Sequence, residues 1–368
     1  MKALIVTPFY PPHVGGIQRY SAGLVAELRA RGWDVDVVQG LLPPHEAGLK
    51  RGAFGERLFS LPSRNVLGRL AVPMPCGETL GALRHVSVSR YNLVVVQSHL
   101  FLANVLVAIA ASKNRRRMVW INHGSGHVPS GRWFLDRIIS AYEHLLANVL
   151  GRIAGTVVAV SDEAVAWAGH LGFPAAGNVG NGVDTELIHP PRGSRDDGPL
   201  RVVFAGRLEV SKGALDAVRI VGGLTGVSLV ICGDGTKAEA VRESARHFAG
   251  QVTLTGEVTA EQVHEHLADA DVLLLPSTYP EGFPTVFLEA GACGAAIVTY
   301  PVGAATLICG TGGGWIVRSP TEARALLTDL AREPARANRA GEALRVLVAE
   351  KFTWPIVVDR ILDQTRAS

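Results

Sequence analysis

The chain has 368 residues, of which 48% are apolar and 19% charged, and its formal net charge is +3. This length excludes a single ordinary core and favours two domains, and the composition is typical of a soluble globular protein. The basic excess lies in residues 1–185 and an acidic excess in residues 186–368. Two explanations stay open: a basic first half that meets an anionic acceptor or membrane surface, and a chance distribution.

Apolar runs alternate with helix-like stretches through the first half of the chain. Residues 3–7 (ALIVT) predict a buried strand and not a signal peptide, and residues 17–31 predict a helix closed by Gly32. Further strands are predicted at 35–38, 93–96, 118–121 and 156–160. The most apolar window, 93–111, contains Gln97, Ser98, His99 and Asn104, so we expect a strand, a loop and a buried helix there instead of a membrane span.

The same alternation restarts after residues 190–199 (PPRGSRDDGP), which break every period and predict a linker. Strands are predicted at 201–205, 227–231, 252–255 and 271–275, and helices at 213–223, 236–248, 260–269 and 285–293. We therefore expect an α/β protein with two Rossmann-like, doubly wound domains that face each other across a cleft. The expected divisions are 1–189, a linker at 190–199, 200–354, and a last helix at 355–368.

Ligand groups in such folds lie in loops that follow the strands. Loop 8–16 brings Gly15 and Gly16 to the start of the first helix, where backbone N–H groups suit a phosphate, although a simple tight turn is an equal alternative. No dinucleotide-binding or P-loop glycine pattern is present. Loop 206–213 (GRLEVSKG) begins at Gly206 and offers the cations Arg207 and Lys212 to a diphosphate.

Two further loops carry candidate residues. Gly233 and Asp234 belong to the GDG loop after strand 227–231, where Asp234 is either structural or holds a neighbouring cation. His123 follows strand 118–121 and is placed to bond a ligand hydroxyl or an oxyanion, with a purely structural role as the equal alternative.

Two glutamates, Glu281 and Glu289, flank a Gly-Phe-Pro turn eight residues apart. Within one helix they would point apart, so they converge only if Glu281 lies in the loop and Glu289 in the following helix. Pro284 favours this arrangement because proline suits a helix start. The Asp34/Asp36 and Asp269/Asp271 pairs are interpreted as ordinary, and we assign no metal ligands. The four cysteines lack zinc spacing and indicate a reducing, cytoplasmic compartment.

Taken together, these segments resemble the retaining GT-B glycosyltransferases, specifically glycosyltransferase family 4 of the group 1 type. The resemblance covers nearly the whole chain, and the E-x7-E pair combined with G-R…K-G is its most specific part. Two departures concern sugar and acceptor handling: Gly124 follows His123 where many members carry an acidic residue, and the segment after Gly294 lacks a glutamate that is often found there.

The resemblance implies a nucleotide-diphosphate sugar, with UDP or GDP, bound mainly by the second domain. Glu289 would hold the ribose, Glu281 the donor sugar, and Arg207 and Lys212 the diphosphate. Leu254 and Gly256 would lie beside the base. Phe283 and Thr285, which flank Pro284 after Gly282, would offer N–H groups. Gly16 would cap the diphosphate, and His123 would face the transferred sugar.

The expected reaction is metal-independent hexosyl transfer with retention, to a glycan or a lipid-linked acceptor, without a cofactor and without nucleic acid. Two alternatives remain open: a GT-B-fold nucleotide-sugar epimerase and a non-catalytic nucleotide-sugar-binding protein. Segment 50–70 mixes basic and bulky apolar residues, and Arg115–Arg117 add a second basic cluster. This pattern suits peripheral binding to an anionic membrane at the inner face of the cell membrane, with ordinary packing and solvated arginines as the alternative.

Overall fold

The computed structural model describes residues 1–13, 15–41, 48–66, 70–127, 133–184, 186, 198–278 and 281–366. Most of the predicted linker, residues 190–197, lies outside these described residues. The chain forms two units. The first comprises Met1–Gly182, Pro280–Gly282 and Trp354–Ser368, and the second comprises Val183–Tyr279 and Phe283–Thr353.

The first unit is built on an eight-stranded sheet with the order β3-β4-β2-β1-β6-β7-β8, in which β5 pairs with β4. All pairings are parallel except those of β3 and β5 with β4. The elements are β1 (Lys2–Thr7), α1 (Gly16–Ala30), β2 (Asp34–Leu41), β3 (Gly48–Arg51), β4 (Arg57–Val66), β5 (Leu70–Pro73), α2 (Gly77–Val88), β6 (Leu93–Gln97), α3 (Leu102–Ala110), β7 (Met118–Asn122), α4 (Trp133–Ile153), β8 (Thr156–Ala159) and α5 (Asp162–His170).

The second unit is built on a six-stranded, fully parallel sheet with the order β11-β10-β9-β12-β13-β14. Its elements are β9 (Leu200–Ala205), α6 (Ala214–Val221), β10 (Val227–Cys232), α7 (Ala238–Arg246), β11 (Val252–Gly256), α8 (Ala260–Ala268), β12 (Val272–Leu275), α9 (Thr285–Ala292), β13 (Ala296–Thr299), α10 (Ala305–Gly310), β14 (Gly314–Ile316), α11 (Pro320–Arg332) and α12 (Pro334–Lys351). This is the strand order of a Rossmann fold, so the predicted doubly wound architecture is confirmed.

The central strands are apolar runs because helices cover both of their faces. In β6 all five residues are buried, and in β12 all four are. The segment around 50–90, where the periodicity is weak, forms the hairpin strands β3 to β5 and helix α2 at the edge of the first sheet. Among the described residues no helix is long and apolar enough to cross a bilayer.

The last helix, α13 (Trp354–Arg366), packs on α1 within the first unit. The Trp354 indole occupies the space that a side chain at Gly23 or Gly182 would need, since a Cβ there would lie 2.0 or 2.5 Å from the ring. Arg31 at the end of α1 pairs with Asp359 and donates to the Pro355 carbonyl at 2.8 Å.

A buried carboxylate ties the edge of the first sheet together. Asp36 on β2 is inaccessible to solvent and is bonded by Lys2 at 3.1 Å, Arg57 at 2.7 Å, His85 at 3.0 Å and Tyr91 at 2.8 Å. Burial alone would raise the pKa of Asp36, but hydrogen bonds from His85 and Tyr91 and the charge of Lys2 outweigh it and lower that pKa. The carboxylate is therefore held ionised by its neighbours.

We expect Asp36→Asn to lower the free energy of unfolding by about 3 kcal/mol at pH 7, because breaking a buried charge network leaves its cations uncompensated. The exposed Asp34→Asn is the matched control on the same strand and should cost under about 1 kcal/mol. The folded-state pKa of Asp36 is lowered. Its contribution to the free energy of unfolding is therefore fully present above the unfolded-state pKa of ~3.9, and it is lost as the pH falls through the folded-state pKa. Denaturant unfolding between pH 7 and pH 2 tests this, and an equally steep acid decline in Asp36→Asn contradicts it.

Candidate functional site

The strand order of the second unit reverses between β9 and β12, so the loops that follow these two strands flank a switch point at the carboxyl edge of the sheet. The loop after β9 contains Gly206, Arg207 and Lys212. The chain after β12 leads to α9. Arg207 is exposed and Lys212 is half-buried.

Backbone hydrogen bonds tie the loop after β9 to its neighbours. Gly206 N–H donates to the Cys232 carbonyl at 3.0 Å, and Leu208 N–H donates to the Asp234 carbonyl at 2.9 Å. On the other side, Thr278 N–H donates to the Ser211 carbonyl at 2.8 Å. The two cations are thus presented from a loop that is fixed at both ends.

These loops approach so closely because they contain glycine. Gly213 has φ +82°, and a Cβ there would lie 2.1 Å from the Pro276 carbonyl oxygen. A Cβ on Gly233 would lie 2.0 Å from the Gly206 carbonyl oxygen. Gly233 N–H also donates to the Gly256 carbonyl at 2.9 Å, which brings the end of β11 into the same group of loops.

Helix α9 begins at this same edge and carries Glu289. Pro284 is its N-cap and Thr285 its first residue, so the first N–H groups of the helix are available to a ligand. The Glu289 side chain lies one turn further on and is only 7% exposed. Burial first, and then the charge of Glu289, raise the pKa of the Cys293 thiol to about 12.

Two more residues that the sequence analysis assigned to the donor lie in this unit. Leu254 is half-buried on β11, in register with Ile231 of β10. The Phe283 ring is buried against Phe352, with ring centroids 5.5 Å apart, so this side chain serves packing and only its backbone is available to a ligand.

The first unit brings His123 and Glu281 together. Gly124, the residue after His123, forms an antiparallel bridge with Glu281, and a Cβ on Gly282 would lie 2.1 Å from the His123 carbonyl oxygen. The His123 ring packs edge-on against Tyr20 of α1 at 4.7 Å, and Tyr20 packs in turn against Trp354 at 5.1 Å.

The electrostatic state of His123 follows from this packing. Burial lowers the pKa of His123 to about 3, so its imidazole is neutral at pH 7. Its Nε2 is inaccessible to solvent and has no hydrogen-bond partner among the described residues. A neutral, orphaned ring nitrogen suits a ligand hydroxyl.

The N-terminus of α1 lies at the carboxyl edge of the first sheet. Gly15 is the N-cap and Gly16 the first helical residue, with no side-chain cap bonded to the helix. The strand order of this sheet reverses between β1 and β6, so the loop after β1 flanks the switch point, as the loop after β9 does in the second unit.

Several buried polar residues near these strand ends were not predicted from the sequence. Gln97 and His99 at the end of β6 are buried, and their side-chain nitrogen and oxygen atoms have no partner among the described residues. Between them Ser98 has φ +65°, an uncommon value for a non-glycine residue. The interruption of the apolar window 93–111 was the signal for these residues. A cluster of His127, His144 and His170 was also missed.

Comparisons with known proteins agree with this architecture. Residues 14–187 match the family model described as Glycosyltransferase Family 4, and residues 199–332 match Glycosyl transferases group 1. The chain is 27% identical to a glycogen synthase of Mycobacterium tuberculosis, over 97% of this chain and 92% of the relative. It is 26% identical to a phosphatidyl-myo-inositol mannosyltransferase of the same organism, over 98% and 96%.

Solved structures share the fold. Anabaena Alr3699/HepE, crystallised with UDP, superposes with a TM-score of 0.74 at 19% identity over 100% of both chains. Sucrose-phosphate synthase from Thermosynechococcus elongatus gives the same TM-score at 18% identity, over 100% of this chain and 98% of that one. The chain therefore has the GT-B fold that was predicted from the sequence, with a Rossmann-like sheet in each unit.

Gly213→Ala tests whether the close approach of the loops is a requirement of the fold. Gly223 has a similar φ of +77°, but its nearest contact to an added Cβ is 3.9 Å, so Gly223→Ala isolates the cost of the backbone conformation. We expect Gly223→Ala to lower the free energy of unfolding by about 1 kcal/mol. Gly213→Ala should lower it by roughly 2–5 kcal/mol, because the added Cβ also collides with a backbone carbonyl. Equal losses of unfolding free energy in urea titrations would show that the approach is unimportant.

Proposed function

Since the chain belongs to glycosyltransferase family 4, we propose that it moves a hexosyl unit from a UDP- or GDP-sugar to a glycan or lipid-linked acceptor with retained anomeric configuration. The observation that carries the proposal is the group of loops at the carboxyl edge of the second sheet. There a fixed loop presents Arg207 and Lys212, and α9 starts from the same edge with the buried Glu289.

We assign the nucleotide to the second unit. Arg207 and Lys212 bind the diphosphate, because two cations on a fixed loop suit a doubly charged group. The N–H groups of Phe283 and Thr285 at the start of α9 add partial positive charge. Glu289 binds the ribose hydroxyls, and Leu254 and Gly256 lie beside the base. Structures of the Anabaena protein with UDP and UDP-glucose support a uridine nucleotide as one candidate.

We assign the sugar to His123 and Glu281 of the first unit. The neutral imidazole donates or accepts a hydrogen bond with a sugar hydroxyl, and the carboxylate accepts one. The backbone bridge between Gly124 and Glu281 brings the two segments together. Gly16 offers its N–H to the diphosphate. Gly15, Gly206, Gly233, Asp234 and Gly282 shape the backbone around these groups.

The chemistry follows from charge. As the bond between the anomeric carbon and the diphosphate oxygen breaks, negative charge grows on the leaving nucleoside diphosphate. Preorganised cations and helix N–H groups stabilise that charge more in the transition state than in the bound donor. The acceptor hydroxyl attacks the anomeric carbon from the same face, which retains the configuration, and its proton passes to the departing diphosphate oxygen. We assign no protein nucleophile and propose that Arg207 and Lys212 do the work of a metal ion.

The acceptor class follows from relatives of two kinds. One group is named glycogen synthase and alpha-maltose-1-phosphate synthase, and another phosphatidyl-myo-inositol mannosyltransferase. The proposal therefore includes both acceptor classes, a glycan and a lipid-linked acceptor.

Helix α4 favours a peripheral position on a membrane. It exposes Phe134, Ile138 and Leu145 along one face, and Trp133 is 76% exposed at its start beside the exposed Arg137. In segment 50–70, Leu58 and Leu61 are buried instead, and several of its apolar side chains lie outside the described residues. We therefore propose that α4 is the helix that lies against an anionic bilayer.

Glu289→Ala should weaken donor binding ~10- to 100-fold, because it removes a charge-assisted hydrogen bond to ribose. The donor is first chosen from a panel of UDP- and GDP-sugars by the largest thermal shift, and affinities are then measured by calorimetry. Glu265→Ala, an exposed carboxylate on α8, is the control and should bind like the parent protein. An unchanged Kd in a folded Glu289→Ala protein would falsify the assignment to ribose.

Arg207→Ala and Lys212→Ala should each lower kcat by a larger factor than they raise the donor Kd, since the leaving group is most charged in the transition state. Arg242→Ala, an exposed arginine on α7, is the control. Turnover should persist in EDTA at a temperature at which the protein stays folded. Metal-rescued loss of activity under that condition would refute the replacement of a metal by these cations.

The products of the same assay separate the alternative functions. An epimerised donor without an acceptor product identifies an epimerase. Donor binding without turnover across a broad set of glycan and lipid-linked acceptors identifies a binding protein.

The double variant Phe134→Ser/Ile138→Ser should abolish co-sedimentation with anionic vesicles at low salt, because it removes apolar area from the face of α4. Val346→Ser, which changes an exposed apolar residue on α12, should bind like the parent protein. Binding that ignores lipid charge, or that is absent from anionic vesicles at low salt, would rule out the membrane role and favour a soluble acceptor.

A further inference from the structure

Three histidines of the first unit converge at a place that the proposed transfer reaction does not use. His127 follows β7, His144 lies within α4, and His170 ends α5. Their potential ligand atoms all lie within 4.8 Å of one another, and the ring centroids are 5.3 to 5.8 Å apart. Imidazole nitrogen is a preferred ligand of Zn²⁺ and related divalent ions, and three such groups form a common set.

The orientation of His127 is set by a buried carboxylate. Its Nδ1 is hydrogen-bonded to Glu143 on α4, a residue that is 1% exposed. A carboxylate beside Nδ1 favours the tautomer with the proton on that nitrogen and leaves the lone pair of Nε2 for a cation. Metal-binding histidines commonly have such a carboxylate partner.

The other neighbours of the cluster are compatible with an ion. Trp167 contacts two of the rings at 4.7 Å, stacked on His170 and edge-on to His127, and so restrains both of them. The Ser140 hydroxyl lies 3.0 Å from His127 Nε2 and, in the tautomer protonated at Nδ1, donates to the lone pair that a bound ion would take over. Tetrahedral Zn²⁺ with bonds near 2.05 Å needs nitrogens about 3.4 Å apart, which small side-chain rotations achieve from the observed spacing.

We propose that His127, His144 and His170 bind one divalent transition-metal ion, with Zn²⁺ as the expected occupant and water in the fourth position. The ion joins the segment after β7 to α4 and α5, only four residues beyond His123. Its role is to hold that segment in place, and it takes no part in the departure of the nucleotide. The inference is independent of the proposed glycosyl transfer.

The test uses the full chain without an affinity tag, stripped of metal. We expect calorimetry to show one Zn²⁺ per chain and Co²⁺ to give the visible absorption of a tetrahedral nitrogen site. His170→Ala should weaken binding by more than the ~10- to 100-fold expected for Glu143→Gln, which removes only the outer partner. His247→Ala changes an exposed histidine of the second unit and should bind like the parent protein.

His170 is exposed, so its replacement leaves the metal-free fold intact, and an unchanged circular dichroism spectrum checks this. Zn²⁺ should also raise the Tm of the parent protein and of His247→Ala but not that of His170→Ala. Failure of the parent protein to bind one ion, or equal affinity in His170→Ala, overturns the proposal. Neither measurement involves a sugar donor, so failure of the metal site and failure of the transfer function are distinguishable.

Discussion

The carboxyl edge of the sheet in the second unit depends on close contact between backbone segments at positions that have no side chain. At Gly213 and Gly233 a single added carbon would lie 2.1 and 2.0 Å from a carbonyl oxygen, far inside the van der Waals distance. Because glycine has no side chain, the three loops that follow neighbouring parallel strands can pack against each other. Hydrogen bonds between them form one continuous surface. Arg207 and Lys212 therefore lie on a preorganised loop, which is the property that the proposed stabilisation of a leaving diphosphate requires.

The first unit holds a neutral histidine at the end of a strand. His123 rests on Tyr20, and Tyr20 rests on Trp354, so an aromatic column runs from the last helix through α1 to the end of β7. Burial in this column removes the positive charge from the imidazole. This strand end therefore carries a neutral imidazole, in contrast to the loop after β9, which carries the cations Arg207 and Lys212.

Much of the fold was predictable because parallel sheets impose continuous apolar runs. The strands β1, β6, β7, β9 and β12 are such runs, and the start of α9 at Pro284 follows from the conformational preference of proline. The hairpin β3 to β5 was not predictable, since its strands lie at a sheet edge and mix polar with apolar residues. The three-residue β14 is too short for any period.

The features that were not predictable from the sequence depend on contacts between residues far apart in the chain. Asp36 looked ordinary beside Asp34, yet it is buried with partners 21 to 55 positions away. Arg57 belonged to a basic segment and is instead an Asp36 partner. Two further features join elements that are far apart in the chain: the bridge between Gly124 and Glu281, and the histidine cluster. Local sequence spacing therefore does not predict them.

The place of α13 has a consequence for synthesis. The slot formed by Gly23 and Gly182 is filled by Trp354, and the end of α1 is anchored through Arg31 to Asp359. During translation the second unit emerges completely before the residues that close the first one. Until α13 is synthesised, the slot at Gly23 and Gly182 in the first unit is therefore unfilled. The second unit folds as an insertion between the parts of the first.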